Sequence, residues 1–217
     1  MANLFAESIA YEQFDSSTDK IALVLKEFTL LKNADGIFQR YNEPYIISLA
    51  IDENGANNPA IDFNILPYPK VRKGDTIQFG GQGHLLYGPN NPGEFLAYSI
   101  LFMESDRDVR DLGKTIERIL ESQVVDLGAK TLLQANPTFG TALSILTSLT
   151  ELISSEMQQN KDDELYRRNG TLLRDIPPLY NINSTFNGRN DFIESQVRVL
   201  ALSGTLNLER SGKRMAM

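Results

Sequence analysis

Hydrophobic periodicity changes twice along this chain, and that double change narrows the fold more than any other feature. Up to about residue 102 the apolar residues come in short alternating or continuous runs, the pattern of strands. Between about residues 110 and 157 they recur at helical spacing, and afterwards period two returns. A run of strands, one helical block and a final set of strands predicts a mainly β chain. The architecture is an antiparallel β-sandwich with a two-helix insertion before the last strands.

The strand segments are KIALVLKEFTLL (20–31), YIISLAI (45–51), AIDFNIL (60–66), TIQFGG (76–81), EFLAYSILF (94–102) and FIESQVRVLAL (192–202). Asp-Gly and Glu-Pro break the first loop, ENGANNP reads as a turn and YGPNNPGEF as a loop, and Gly80, Gly81 and Gly83 mark a bulge or tight corner. Within DELYRRNGTLLRD, Asn169-Gly170 is the dipeptide favoured by a tight hairpin turn. In the helical block Val109, Leu112, Ile116, Ile119 and Leu120 share one face. Leu143, Leu146, Leu149, Leu152, Ile153 and Met157 form a second stripe, with Thr138 placed to cap its start. The resulting division is an N-terminal segment (1–19), a sandwich (20–111 and 159–204), a helical insertion (112–158) and a flexible tail (205–217).

Composition removes several chemistries. With no cysteine, disulfides, thiolate metal sites and cysteine nucleophiles are excluded. A single histidine, His84, rules out multi-histidine metal sites. It has no nearby Ser-Asp signature that would make it a catalytic base. GGQGH (80–84) lacks the strand-to-helix setting of a nucleotide site. The surplus of 28 acidic over 21 basic residues, a net charge of −7, argues against nucleic acid as a partner. The opening residues have no basic n-region and no continuous apolar run, and no stretch approaches the length of a spanning helix, so the expected location is cytoplasmic.

The residues with most chemistry are acidic and lie in two separate loops. The first carries Asp35 and Glu43; the second, ESDRDVRD, carries Glu104, Asp106, Asp108 and Asp111. Calcium favours such sets because it takes about six to eight oxygen ligands. DDEL (162–165) and NGRND (187–191) could add oxygens, and turn chemistry accounts for them equally well.

The order strand, Asp-containing loop, acidic residue, Pro-Tyr, strand in KIALVLKEFTLLKNADGIFQRYNEPYIISLAI resembles the opening of a C2 domain, the calcium-dependent phospholipid-binding β-sandwich. LAYSILFMESDRDVRDLG resembles that family's third loop. The resemblance implies calcium as cofactor, with Asp35, Glu43, Asp106, Asp108 and Asp111 as metal ligands. It also implies membrane contact through Ile37 and Phe38 at a loop tip and through the basic Lys70, Arg72 and Lys73. Glu43 stands where the family usually has Asp, the Asn-Pro-x-Trp motif is missing, and the helical insertion is additional.

The same residues fit plainer roles. Asp106, Asp108 and Asp111 sit where a helix N-terminus would favour negative charge, or could pair with Arg107 and Arg110. Ile37 and Phe38 could cover the core, and KVRK could blunt an edge strand. Two functions follow. One is a non-enzymatic structural or interaction protein, a C2-like scaffold that meets protein partners or its own copies through the insertion. The other is calcium-dependent docking to anionic phospholipid membranes. A metal-assisted hydrolase is a distant third, since no nucleophile or substrate cradle is evident.

Overall fold

A computed structural model of the chain describes residues 13–34, 41–105, 112–159, 161–202 and 213–217. Two five-stranded antiparallel sheets face each other. The first contains β1 (Lys20–Leu30), β4 (Thr76–Gln78), β5 (His84–Asn90), β8 (Thr185–Arg189) and β9 (Ile193–Leu202). Its order is β4-β1-β9-β8, with β5 also pairing β1. The second contains β2 (Pro44–Asp52), β3 (Ala60–Pro67), β6 (Phe95–Glu104), β7 (Asp163–Leu173) and β10 (Lys213–Ala216), in the order β10-β3-β2-β6-β7.

The second sheet is buried on both faces. Every residue of β2 and of β6 is buried. Successive side chains of a strand point to opposite faces, so these continuous apolar runs need two covers. Ile46, Ala50, Leu96, Tyr98, Ile100 and Phe102 face the first sheet and pack with Leu25, Phe28 and Val197. Tyr45, Ile47, Leu49, Ile51, Ala97, Leu101 and Met103 face the other way, onto the helices.

Those helices are α2 (Leu112–Asp126), α3 (Ala129–Ala135) and α4 (Phe139–Gln159), so the expected pair has a short third helix between its long members. Ile116, Leu120 and Val124 of α2 and Ile145, Leu146, Leu149 and Ile153 of α4 fill the space over the sheet. Thr138 caps α4 as expected, its Oγ1 accepting the Thr141 N–H at 3.3 Å. The stripes read from the sequence therefore form an internal layer, apart from Leu152, which joins no core cluster, and Val109, which lies outside the described residues. A sandwich of two sheets would leave the outer face of β2 and β6 in water, so the insertion is needed by the core and is not an accessory to it.

Four local expectations change. YGPNNPGEF is not a loop throughout, because Tyr87–Asn90 form the end of β5. Asn169-Gly170 lies inside β7, paired with Ser99 and Tyr98, and forms no hairpin. A Cβ on Gly170 would come within 2.5 Å of the Tyr98 hydroxyl, so the glycine makes room for a ring across the strand. The ENGANNP turn contains a one-turn helix, α1 (Glu53–Asn57), whose Gly55 N–H is held by the Asp52 carboxylate at 2.6 Å. The tail read as flexible contains β10, which pairs with β3 from Lys213↔Phe63 to Ala216↔Ala60. The tight corner expected at the glycines is present. Gly83 has a φ of +110°, and a Cβ there would sit 2.6 Å from the Leu25 carbonyl oxygen.

Leu146 is fully buried between α4 and the second sheet. Leu146→Ala is expected to lower unfolding free energy by about 2–5 kcal/mol in a urea titration. An exposed insertion would show almost no change.

Candidate functional site at the loop end of the sandwich

The two acidic loops leave the sandwich at the same end. Pro44 at the start of β2 is paired with Glu104 at the end of β6, and the Ser105 N–H donates to the Glu43 carbonyl at 3.2 Å. β7 begins beside them, with Asp163 opposite Glu104. The chain between β3 and β4 joins the same end, because Asn42 and Val71 exchange two backbone hydrogen bonds of 2.8 Å. The Gly74 N–H donates to the Leu30 carbonyl at 2.7 Å, which ties this segment to the end of β1 as well.

Glu43, the one implied calcium ligand among the described residues, is partly exposed here. Asp35, Asp106, Asp108 and Asp111 lie outside the described residues, as do Ile37 and Phe38. Lys70, Arg72 and Lys73 are all exposed at this end. KVRK is not a strand: it is a loop held by the single bridge at Val71, so it blunts no edge. Arg72 lies over the Tyr41 ring, 4.9 Å from its centre, and donates to its hydroxyl at 2.6 Å.

At this end of the sheet lies a buried polar layer that is not contiguous in the sequence. Glu104, Ser105 and Asp162 are buried, and the Tyr45 hydroxyl donates to the Asp162 carboxylate at 2.7 Å. Burial drives the Tyr45 phenol far above its ordinary range, and the carboxylates of Asp162 and Glu104 push the same way. Asn42 is completely buried, and neither atom of its side-chain amide has a hydrogen-bond partner. Leaving such a group unpaired costs about 1–3 kcal/mol. Alternation could have flagged Asn42, because it occupies the strand-like register that places Ile46 and Ala50 between the sheets. Among the described residues no three His, Cys, Asp or Glu side chains gather as a cation-binding group.

The remaining candidates resolve into structural roles. In NGRND, Asn190 accepts the Phe192 and Ile193 N–H groups at 2.9 Å and donates to the Leu165 carbonyl at 2.7 Å, which is turn chemistry. His84 is partly buried, with its ring 5.6 Å from that of Phe79 and its Nε2 3.4 Å from Asn64 Nδ2. Among the described residues no helix is long and apolar enough to cross a membrane.

No family model and no curated protein matches this chain. Among solved structures, human GIVD cytosolic phospholipase A2, in complex with methyl gamma-linolenyl fluorophosphonate and terbium chloride, is similar with a TM-score of 0.37 and 9% identity. The match covers 90% of this chain and 18% of that one, so the chain spans less than a fifth of that protein. A likeness this loose defines neither a family nor an activity.

Burial depresses the His84 pKa below its ordinary 6.5. The unfolded chain therefore binds a proton at a pH where the folded chain does not, and stability falls as pH drops below about 6.5. Urea midpoints taken at about pH 7 and about pH 5.5 should show this fall, and His84→Gln should remove its share of it. Equal pH slopes in the two proteins would assign the dependence to other groups.

Proposed function

We propose that this chain is a non-enzymatic interaction protein, a C2-like β-sandwich scaffold that makes assembly contacts through its helical insertion. The observation that carries this reading is the apolar surface left over once the stripes have packed. Val125, Leu132 and Phe139 are 77%, 50% and 46% exposed. They lie at the end of α2, in α3 and at the start of α4, within one short stretch of the insertion. At about 1.5 Å per residue, α2 carries the chain roughly 20 Å from the acidic loops to this corner. Apolar side chains grouped on one corner fit a contact surface for protein, a second copy included.

A second reading places calcium-dependent docking to anionic phospholipid at the opposite end. Its support is the exposed Lys70, Arg72 and Lys73 beside Glu43, at the end where β6 leads into the sequence carrying Asp106, Asp108 and Asp111. Oxygen ligands would hold the cation, and the basic side chains would meet lipid phosphate. Both readings belong to a scaffold that binds without chemistry, and they use different poles of it.

The first is tested by light scattering across a concentration series. The native chain should self-associate, and Val125→Glu with Leu132→Glu should abolish association without lowering the melting temperature. A native chain that stays monomeric throughout would remove self-assembly at this corner. For the second, a calcium titration followed by thermal melting should raise the midpoint in proportion to the logarithm of calcium above its Kd. No shift at millimolar calcium, or vesicle binding that is the same with and without calcium, would discard it.

A further inference from the structure

The outer edge of β3 is built to hold an extended strand of defined chemistry. Its present occupant is β10, whose register runs Lys213↔Phe63, Arg214↔Asp62, Met215↔Ile61 and Ala216↔Ala60. The Met217 N–H continues the pairing to the Pro59 carbonyl at 2.8 Å. Alternation sends Met215 and Met217 to the helix side, where both pack on the core between the second sheet and the helices.

Arg214 points the other way, into a site with three made parts. Its Nη2 lies 3.1 Å from Asp52 Oδ1, and its Nε lies 3.8 Å from Asp62 Oδ1. The Asp52 side chain has no exposure at all. It is held by the Tyr87 hydroxyl at 2.9 Å, the Asn90 amide at 2.8 Å and the Gly55 N–H at 2.6 Å. Gly55 also leaves the guanidinium its space, since a Cβ there would stand 2.9 Å from Arg214 Nη2. A buried carboxylate fixed by three donors and facing the edge of a sheet favours a strand that brings a cation.

We infer that the β3 edge is a strand-acceptor groove, and that residues 213–217 of a second copy of this chain can occupy it in place of the chain's own. Recognition of this kind is β-strand addition, with backbone pairing for affinity and alternate side chains for specificity. The chain itself supplies the complementary strand. SGKRMAM carries two basic and no acidic residues, while the chain as a whole carries −7. β10 pairs with no described strand other than β3. Exchange between two copies would therefore keep every contact described for it. Within one copy the tethered strand has an effective concentration in the millimolar range, so exchange is a high-concentration or assembly-driven event. This groove does not involve the α3 corner.

Complementation tests the inference. One full-length protein carries Asp62→Lys, which blocks its groove and leaves its strand free; another carries Met215→Asp, which releases its strand and leaves its groove open. Both are made in the Val125→Glu, Leu132→Glu background, so association at the α3 corner cannot contribute. In sedimentation, each alone should remain monomeric and the mixture should form a 1:1 complex. A mixture that remains monomeric overturns the inference. If Met215→Asp fails to fold, Arg214→Gln replaces it and fluorescence anisotropy of a labelled SGKRMAM peptide gives the readout. The peptide should bind the Arg214→Gln protein, and binding should weaken by about tenfold or more when Asp62→Lys is added. Undetectable binding, or equal binding to the two proteins, overturns it.

Discussion

The packing of α2 and α4 on the outer face of the second sheet is the contact on which the rest of this structure depends. β2 and β6 are the central strands of that sheet, and both are buried along their whole length and mostly apolar. One face is covered by the opposite sheet. The other can be covered only by something the chain brings with it, and the insertion between β6 and β7 supplies Ile116, Leu120, Leu146, Leu149 and Ile153 for the purpose. The molecule is a three-layer body of sheet, sheet and helix. The insertion is a structural requirement first, and any role in contact with other molecules falls to what its packing leaves uncovered.

That division gives the scaffold two poles. At one, the start of β2, the end of β6 and the chain between β3 and β4 adjoin a buried layer of Asn42, Tyr45, Glu104 and Asp162. At the other, Asp52 gathers α1, β5 and β10, and the apolar corner around α3 stands nearby, with Phe139 against Phe95. The first pole is polar and charged. The second is apolar beside the fully buried Asp52 carboxylate. Such a body presents different chemistry to whatever it meets at each end.

Much of the fold was legible in the sequence because strand and helix periods differ so clearly. The six strand segments and both long helices are present, and so is the Thr138 cap. What escaped was set by tertiary packing. Asn169-Gly170 carries a turn signal that the Tyr98 ring overrides, and a local motif cannot report a ring that arrives from a neighbouring strand. β10 is only four residues long, too short for a period to show, and its place depends on Asp52 and Asp62 far away in the chain. The candidate site was legible as a pair of acidic loops, and the structure adds that both leave from one end. The Tyr45–Asp162 pair was not legible, since its members are separated by the whole insertion. Even so, the two-sided apolar character of YIISLAI and FLAYSILFM was a readable sign that the sheet needed a second cover.

The place of the insertion also has a kinetic meaning. β6 and β7 are neighbours in the sheet, with Glu104 opposite Asp163, yet everything from Ser105 to Asp162 lies between them. A flexible connection of that length would make their pairing a slow, long-range event. Helices form from local contacts in about a microsecond or less. Once α2 and α4 have coiled and packed on each other, they draw the start of β7 back toward the end of β6. The helical layer thus turns a pairing that is distant in sequence into one that is near in space.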